Sequence, residues 1–136
     1  MYLLDTNVIS ETRRPVRMHR NVKAWLEQTS PESLYTSVIV MMELERGVLG
    51  MERKDPAQGA ILREWLEQVI KPAFNGRILP IDEVTAGICA RLHIPDRAPE
   101  NDSWIAATAK QYGLTLATRN VKDMRHAGIK LFDPFA

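Results

Sequence analysis

The sequence predicts an α/β fold, a parallel sheet of about five short strands with helices on both faces. Three observations lead there. Short β-type apolar runs alternate with longer segments of helical periodicity, the pattern that strand–crossover–strand units leave in a sequence. The chain has 136 residues, read as one domain (1–136) whose core buries roughly two-thirds of the unfolded surface. The first apolar run, Tyr2-Leu3-Leu4, stops at a carboxylate, Asp5, at the strand end where open α/β sheets bind ligands.

The elements follow in order. Tyr2–Leu4 is the first strand, and Asp5 caps the next helix by accepting from the amide of Asn7 or Val8, serves as a ligand, or does both. Val22–Glu27 is helical. Leu34–Thr36 is the second strand, and Ser37 caps a helix over Val38–Leu49. In Gly59–Ile70 the residues Ile61, Leu62, Trp65, Leu66 and Val69 recur at three-and-four spacing, a stripe assigned to core or dimer contacts. Ile78–Pro80 is the third strand, and Asp82 caps a helix running to Leu92. Pro95 and Pro99 bracket an irregular connection to the last long helix, Ser103–Tyr112, which Asp102 starts and Gly113 ends in a left-handed backbone. Thr115–Ala117 and Lys130–Phe132 complete the sheet. No repeat, low-complexity tract or linker marks a second domain.

Composition narrows the class. Hydrophobic residues are 45% and charged residues 26%, as in ordinary globular proteins. No apolar run approaches the ~18 residues of a membrane span, and Asp5 spoils a signal-peptide reading, so a cytoplasmic protein without membrane contact is expected. The single cysteine, Cys89, lies in an apolar helical pattern and is expected to be a buried structural thiol. A net charge of +1 does not exclude nucleic acid, because the binding field is local. Arg13, Arg14, Arg17, His19, Arg20 and Lys23 form one basic cluster, opposed nearby by Glu11. It either tracks a phosphate backbone or forms a solvated helix face.

Further acids stand where a phosphodiesterase would use them. Glu43 shares a helix face with Gly47, whereas Glu45 and Arg46 are expected to face water. Asp102 stands at the positive end of a small, apolar helix. After the strand ending at Ala117 come Thr118, Asn120 and Asp123, at the same edge as Asp5. Carboxylates gathered there repel and raise one another's pKa, and a divalent cation removes the conflict. Magnesium or manganese suits such oxygen donors. His19, His93 and His126 offer no helical pair for zinc. Thr6, Ser37 and Thr118 are placed to hydrogen-bond the phosphate or a water, and lack a neighbouring base that would make them nucleophiles.

The ordered motifs resemble one family: Leu4-Asp5-Thr6-Asn7-Val8, Glu43-Leu44 with Gly47, Gly76-Arg77-Ile78-Leu79-Pro80, Asp102 before Trp104-Ile105-Ala106-Ala107-Thr108-Ala109, and Thr118-Arg119-Asn120-Val121-Lys122-Asp123. The chain resembles PIN-domain proteins of the VapC and FitB type, the toxin half of type II toxin–antitoxin pairs, over nearly its whole length. The resemblance implies a PIN-like three-layer fold and a magnesium- or manganese-dependent ribonuclease. Asp5, Glu43 and Asp102 match its metal-binding acids, and the fourth acidic position falls on Asp123 or, as an amide, on Asn120. Met124 stands where the family usually has Phe. The resemblance also implies a homodimer, a cognate VapB-like antitoxin that blocks the site, and operator DNA bound only through that antitoxin.

Three functions compete. The first is a metal-dependent endoribonuclease whose RNA is steered by Arg13, Arg14, Arg17, Arg20 and Lys23. The second is an antitoxin-binding subunit of an operator-binding complex with weak or conditional nuclease activity. The third, a phosphatase using Asp5 as a covalent nucleophile, commonly needs a second Asp two residues on, and position 7 is Asn.

Overall fold

Five parallel strands in the order β3-β2-β1-β4-β5 form the centre of the computed structural model, which describes residues 1–125 and 128–136. His126 lies outside the described residues. The strands are β1 (Tyr2–Leu4), β2 (Leu34–Ser37), β3 (Ile78–Leu79), β4 (Thr115–Ala117) and β5 (Leu131–Phe132). Leu3 and Leu116 are fully buried, as expected of a parallel sheet covered on both faces. β3 stops before Pro80, which has no N–H to continue a ladder. β2 runs one residue further than expected, to Ser37, and β5 begins at Leu131, although the Lys130 carbonyl still accepts from Leu116 N–H at 2.9 Å.

The register explains why the strand ends matter. Tyr2, Leu3 and Leu4 lie opposite Thr115, Leu116 and Ala117, and Asp5 N–H extends that ladder to the Ala117 carbonyl at 3.0 Å. On the other side Tyr2 and Leu3 pair with Leu34 and Tyr35. The chain leaves β1 for β2 on one side and reaches β4 on the other, so the strand order reverses beside β1. Such a switch point leaves a crevice at the carboxyl ends.

Eight helices are described: α1 (Thr6–Glu11), α2 (Arg20–Gln28), α3 (Val38–Lys54), α4 (Pro56–Trp65), α5 (Lys71–Ala73), α6 (Glu83–Leu92), α7 (Glu100–Gln111) and α8 (Val121–Met124). Asp82 caps α6 through a reciprocal pair of bonds with Thr85. The expected Gly59–Ile70 helix starts earlier, at Pro56 behind the Asp55 cap, and passes through a π turn at Leu66–Ile70. Its apolar stripe therefore divides. Leu66 and Ile70 enter the core, while Ile61 and Val69 stay 64% and 54% exposed.

Two further expectations change. α7 begins at Glu100, because Pro99 supplies a helix-compatible φ of −54° and its carbonyl accepts from both the amide and the hydroxyl of Ser103. Asp102 thus lies inside the first turn and does not start the helix. Glu45 is only partly open to water, because Arg63 of α4 donates to it at 2.8 Å and to Glu52 at 3.1 Å, tying α3 to α4, whereas Arg46 is exposed as expected. That hairpin is close enough to require glycine: a Cβ on Gly59 would stand 2.4 Å from the Glu52 Cα. Gly113 ends α7 at a φ of 66°, as expected. Cys89 is buried, and burial pushes its thiol up, away from nucleophilic use. Among the described residues no helix is long and apolar enough to cross a membrane.

Candidate functional site

Asp5 is 3% exposed at the end of β1, where its backbone is still extended and α1 begins. Its Oδ1 accepts from Thr6 N–H at 2.7 Å, one residue nearer than the expected Asn7 or Val8 amide. Its Oδ2 accepts from the Thr118 hydroxyl at 2.7 Å and from the Asn7 side-chain amide at 3.5 Å. Capping and site geometry therefore coexist on one carboxylate. Burial pushes the Asp5 carboxyl up, the bonds from Thr118 and Thr6 oppose that, and the Glu43 charge adds to the rise.

Glu43 comes to the same place from α3. The Thr6 hydroxyl donates to its Oε1, so Thr6 bridges the two acids, donating from its amide to Asp5 and from its hydroxyl to Glu43. Asn101 of α7 donates to Glu43 Oε2 at 3.3 Å. Asp102, the next residue, is half-buried. Burial raises its pKa most, followed by the charges of Asp5, Glu43 and Asp123. The four acids are thus electrostatic neighbours, although among the described residues no three Asp, Glu, His or Cys side chains close into a metal-gripping cluster as they stand.

The remaining polar residues sort themselves by geometry. Asp123 is exposed on α8 and shares a narrow crevice with Asp102, Ala106 and Met124. Asn120 meets the site through its backbone, its N–H donating to Thr118 Oγ1 at 3.0 Å. Thr118 is fully buried and central. Ser37 is also fully buried, but its Oγ accepts from Val40 N–H at 3.2 Å as the cap of α3. Sequence reasoning named neither Asn7 nor Asn101 as a site residue. Asn7 donates toward Asp5 and Thr118 and accepts from Arg119 N–H at 3.1 Å, pinning the loop after β4 to α1. The signal available was an amide two residues after Asp5, which suits an Asx-type bond to nearby backbone.

The basic cluster divides. Arg13, Arg14 and Arg17 line a cleft of about 560 Å³ together with Thr6, Glu43 and Trp65. Arg20 and Lys23 are exposed on α2, and His19 serves as its cap, with Nδ1 accepting from Asn21 N–H at 3.2 Å. His93 is likewise a packing residue, its Nδ1 accepting from Ala98 N–H at 3.1 Å.

The donor set is made of carboxylate oxygens, with the Asp5 and Asp102 carboxyls pushed up by burial and by neighbouring charge, and it contains no imidazole or thiolate. That chemistry fits a hard divalent cation such as Mg²⁺ or Mn²⁺.

Comparison with known proteins adds lineage to this geometry. A family model described as "PIN domain" matches residues 2–130. Toxin FitB of Neisseria gonorrhoeae is 43% identical, with 99% of each chain covered. VapC ribonuclease Y4jK of Sinorhizobium fredii is 34% identical over 99% of this chain and 98% of its own. The solved structure of FitAB bound to an IR36 DNA fragment superposes with a TM-score of 0.85 at 38% identity, covering all of this chain and 96% of that one.

Proposed function

This chain belongs to the PIN-domain family, and on that premise we propose that it is the toxin of a type II toxin–antitoxin pair, a divalent-metal-dependent endoribonuclease that cleaves RNA by hydrolysis. The observation that carries the reading is the Thr6 bridge between Asp5 and Glu43, with Asp102 within electrostatic reach of both. Asp5, Glu43 and Asp102 are the residues assigned to hold Mg²⁺ or Mn²⁺, with Asp123 as an outer acid. When bound, the cation supplies polarisation of an attacking water near neutral pH and offsets charge on the phosphate oxygens.

The chain's own residues do the rest. Asn101 and Thr6 orient Glu43, and Thr118 with Asn7 orients Asp5, so that each carboxylate keeps one preferred rotamer. Arg13, Arg14 and Arg17 attract the substrate's phosphates into the cleft. Asp5, with its raised pKa, is easier to protonate than an exposed acid, and proton loss accompanies cation entry.

The relatives' names support the partners. A VapB-like antitoxin is assigned as the inhibitor, with operator DNA bound through the antitoxin, and the toxin works as a cytoplasmic homodimer of one PIN-like domain per chain. The test is cleavage of RNA by purified protein with and without Mg²⁺ or Mn²⁺, beside Asp5→Asn and Asp102→Asn. Cleavage that needs the metal and disappears in both variants is expected. Equal cleavage by wild type and variants, or indifference to chelation, overturns the proposal. Growth arrest on expression without antitoxin, lost in Asp5→Asn, separates a nuclease toxin from a subunit that acts through operator binding alone.

A further inference from the structure

We propose that the apolar part of the cleft lining is a nucleobase subsite, in which Trp65 stacks on one unpaired base of the substrate strand while Arg13 and Arg14 hold the flanking phosphates. The inference rests on the ribonuclease reading and names a residue which that reading leaves unused. The cleft lining is mixed: Thr6, Glu11 and Glu43 are polar or acidic, Leu62 and Trp65 of α4 are apolar, and Arg13, Arg14 and Arg17 are cationic. A smaller adjoining cavity of about 110 Å³ continues past Arg13, Arg14, Leu62 and Trp65, so cationic and apolar groups stay side by side beyond the main cleft.

The two tryptophans nearest the sheet and the cleft contrast. Trp25 is part of an aromatic packing group, edge-on to Tyr2 at 5.0 Å and tilted against Phe132 at 5.1 Å. Trp65, half-buried against the core like Trp25, instead borders both cavities. The π turn begins immediately after it, at Leu66, and π turns recur at functional positions in helices. Across the cleft, Gly47 leaves the α3 backbone open, since a Cβ there would meet nothing within 4 Å.

Charge selects the occupant. An anionic polymer with flat, apolar units matches arginines beside an indole, as in single-strand binding grooves. A base-paired A-form helix keeps its bases stacked inside, so the occupant is a single-stranded stretch or a loop. Because Glu43 and Trp65 line the same cleft, this base lies along the strand from the phosphate held at the acids, which makes Trp65 a specificity-determining residue for sequence or looping near the cut.

The test uses the full chain in chelator, where no cleavage is expected, and short single-stranded oligoribonucleotides carrying 2-aminopurine at successive positions. On wild type, the probe's fluorescence is expected to be quenched at one position. Trp65→Phe keeps most of that quenching, and Trp65→Ala loses it and weakens binding by about five- to a hundredfold. Should Trp65→Ala not fold, as read by its thermal melt, Trp65→Leu takes its place with the same expectation. Quenching that is absent at every position, or equal in the alanine or leucine variant, overturns the proposal and returns the cleft to a protein segment. Binding is read without catalysis, so position-specific quenching in a protein that fails to cleave RNA with metal would sink the nuclease reading and leave the base subsite standing. Cleavage without quenching would do the reverse.

Discussion

The Thr118 hydroxyl donates to Asp5 Oδ2 at 2.7 Å, joining the carboxyl end of β4 to that of β1 across the switch point of the sheet. Both residues are buried, so this bond satisfies a carboxylate oxygen that would otherwise be left without a protein donor of this strength. Thr118→Val keeps the shape and removes the donor. It is expected to cost about 1–3 kcal/mol in a urea titration and to lower cleavage. Thr118→Ser is expected to recover most of both. An unchanged midpoint in the valine variant would mean that Asp5 finds another donor.

Asp102 supplies the pH dependence. Its folded pKa is raised by burial and by three neighbouring acids, so the folded state binds a proton that the unfolded state has already lost. Its contribution favours folding below the unfolded pKa and is lost as pH rises through the raised folded value. Asp102→Asn is therefore expected to raise the melting temperature of the metal-free protein at neutral pH, with the gain shrinking toward zero as pH falls below the ordinary carboxylate range. Mg²⁺ is expected to stabilise wild type and not the variant. A variant that melts lower than wild type at pH 7 would contradict this.

Asp123 and Asn120 make opposite predictions. Asp123 acts on Asp102 through its charge, whereas Asn120 contributes a backbone amide to Thr118. Asp123→Asn should raise the metal concentration needed for half-maximal cleavage, and Asn120→Ala should leave it near wild type. The reverse order would assign the fourth position to Asn120.

The arginines of the cleft are expected to separate from those outside it. Replacing Arg13, Arg14 and Arg17 with Ala should make the salt dependence of single-stranded RNA binding shallower by about two logarithmic units per unit. Replacing Arg20 and Lys23 should leave the slope unchanged. Equal effects would return the whole run to a general basic surface.

Gly59 tests the wall that carries Trp65. Gly59→Ala places a methyl against the Glu52 backbone and is expected to destabilise the fold by about 1–3 kcal/mol, read by urea denaturation. Gly47→Ala, which meets open space, should not.

The sheet was legible because parallel strands buried on both faces leave short apolar runs, and Asp5, Glu43 and Asp102 stood out as candidates because they recur in the order of the resembled motifs; the fold brings their charges within reach of one another. What was not legible depended on geometry that periodicity does not carry. α7 starts at Glu100, two residues before Asp102, behind the Pro99 cap whose carbonyl accepts from the Ser103 amide and hydroxyl, which a carboxylate-cap rule does not anticipate. Asn7 and Asn101 look like turn and cap residues, and their side-chain amides are seen to serve the acids only once β1, β4, α3 and α7 are assembled. The basic run reads as one helix face, yet a 3₁₀ turn at Pro15–Arg17 separates α1 from α2 and leaves Arg20 and Lys23 off the cleft. Ser37 caps α3 as expected, and with its Oγ taken by the Val40 amide it stays a cap residue.

Mn²⁺ binding, measured by calorimetric titration of the purified chain, bears most directly on the claim that the Thr6-bridged acids form one divalent-cation site. Wild type should bind Mn²⁺, Asp5→Asn, Glu43→Gln and Asp102→Asn should each weaken binding by at least about tenfold, and Ser37→Ala should bind as wild type. Unchanged affinity in Asp5→Asn and Glu43→Gln would contradict the account, because the two acids that Thr6 joins would then hold no cation.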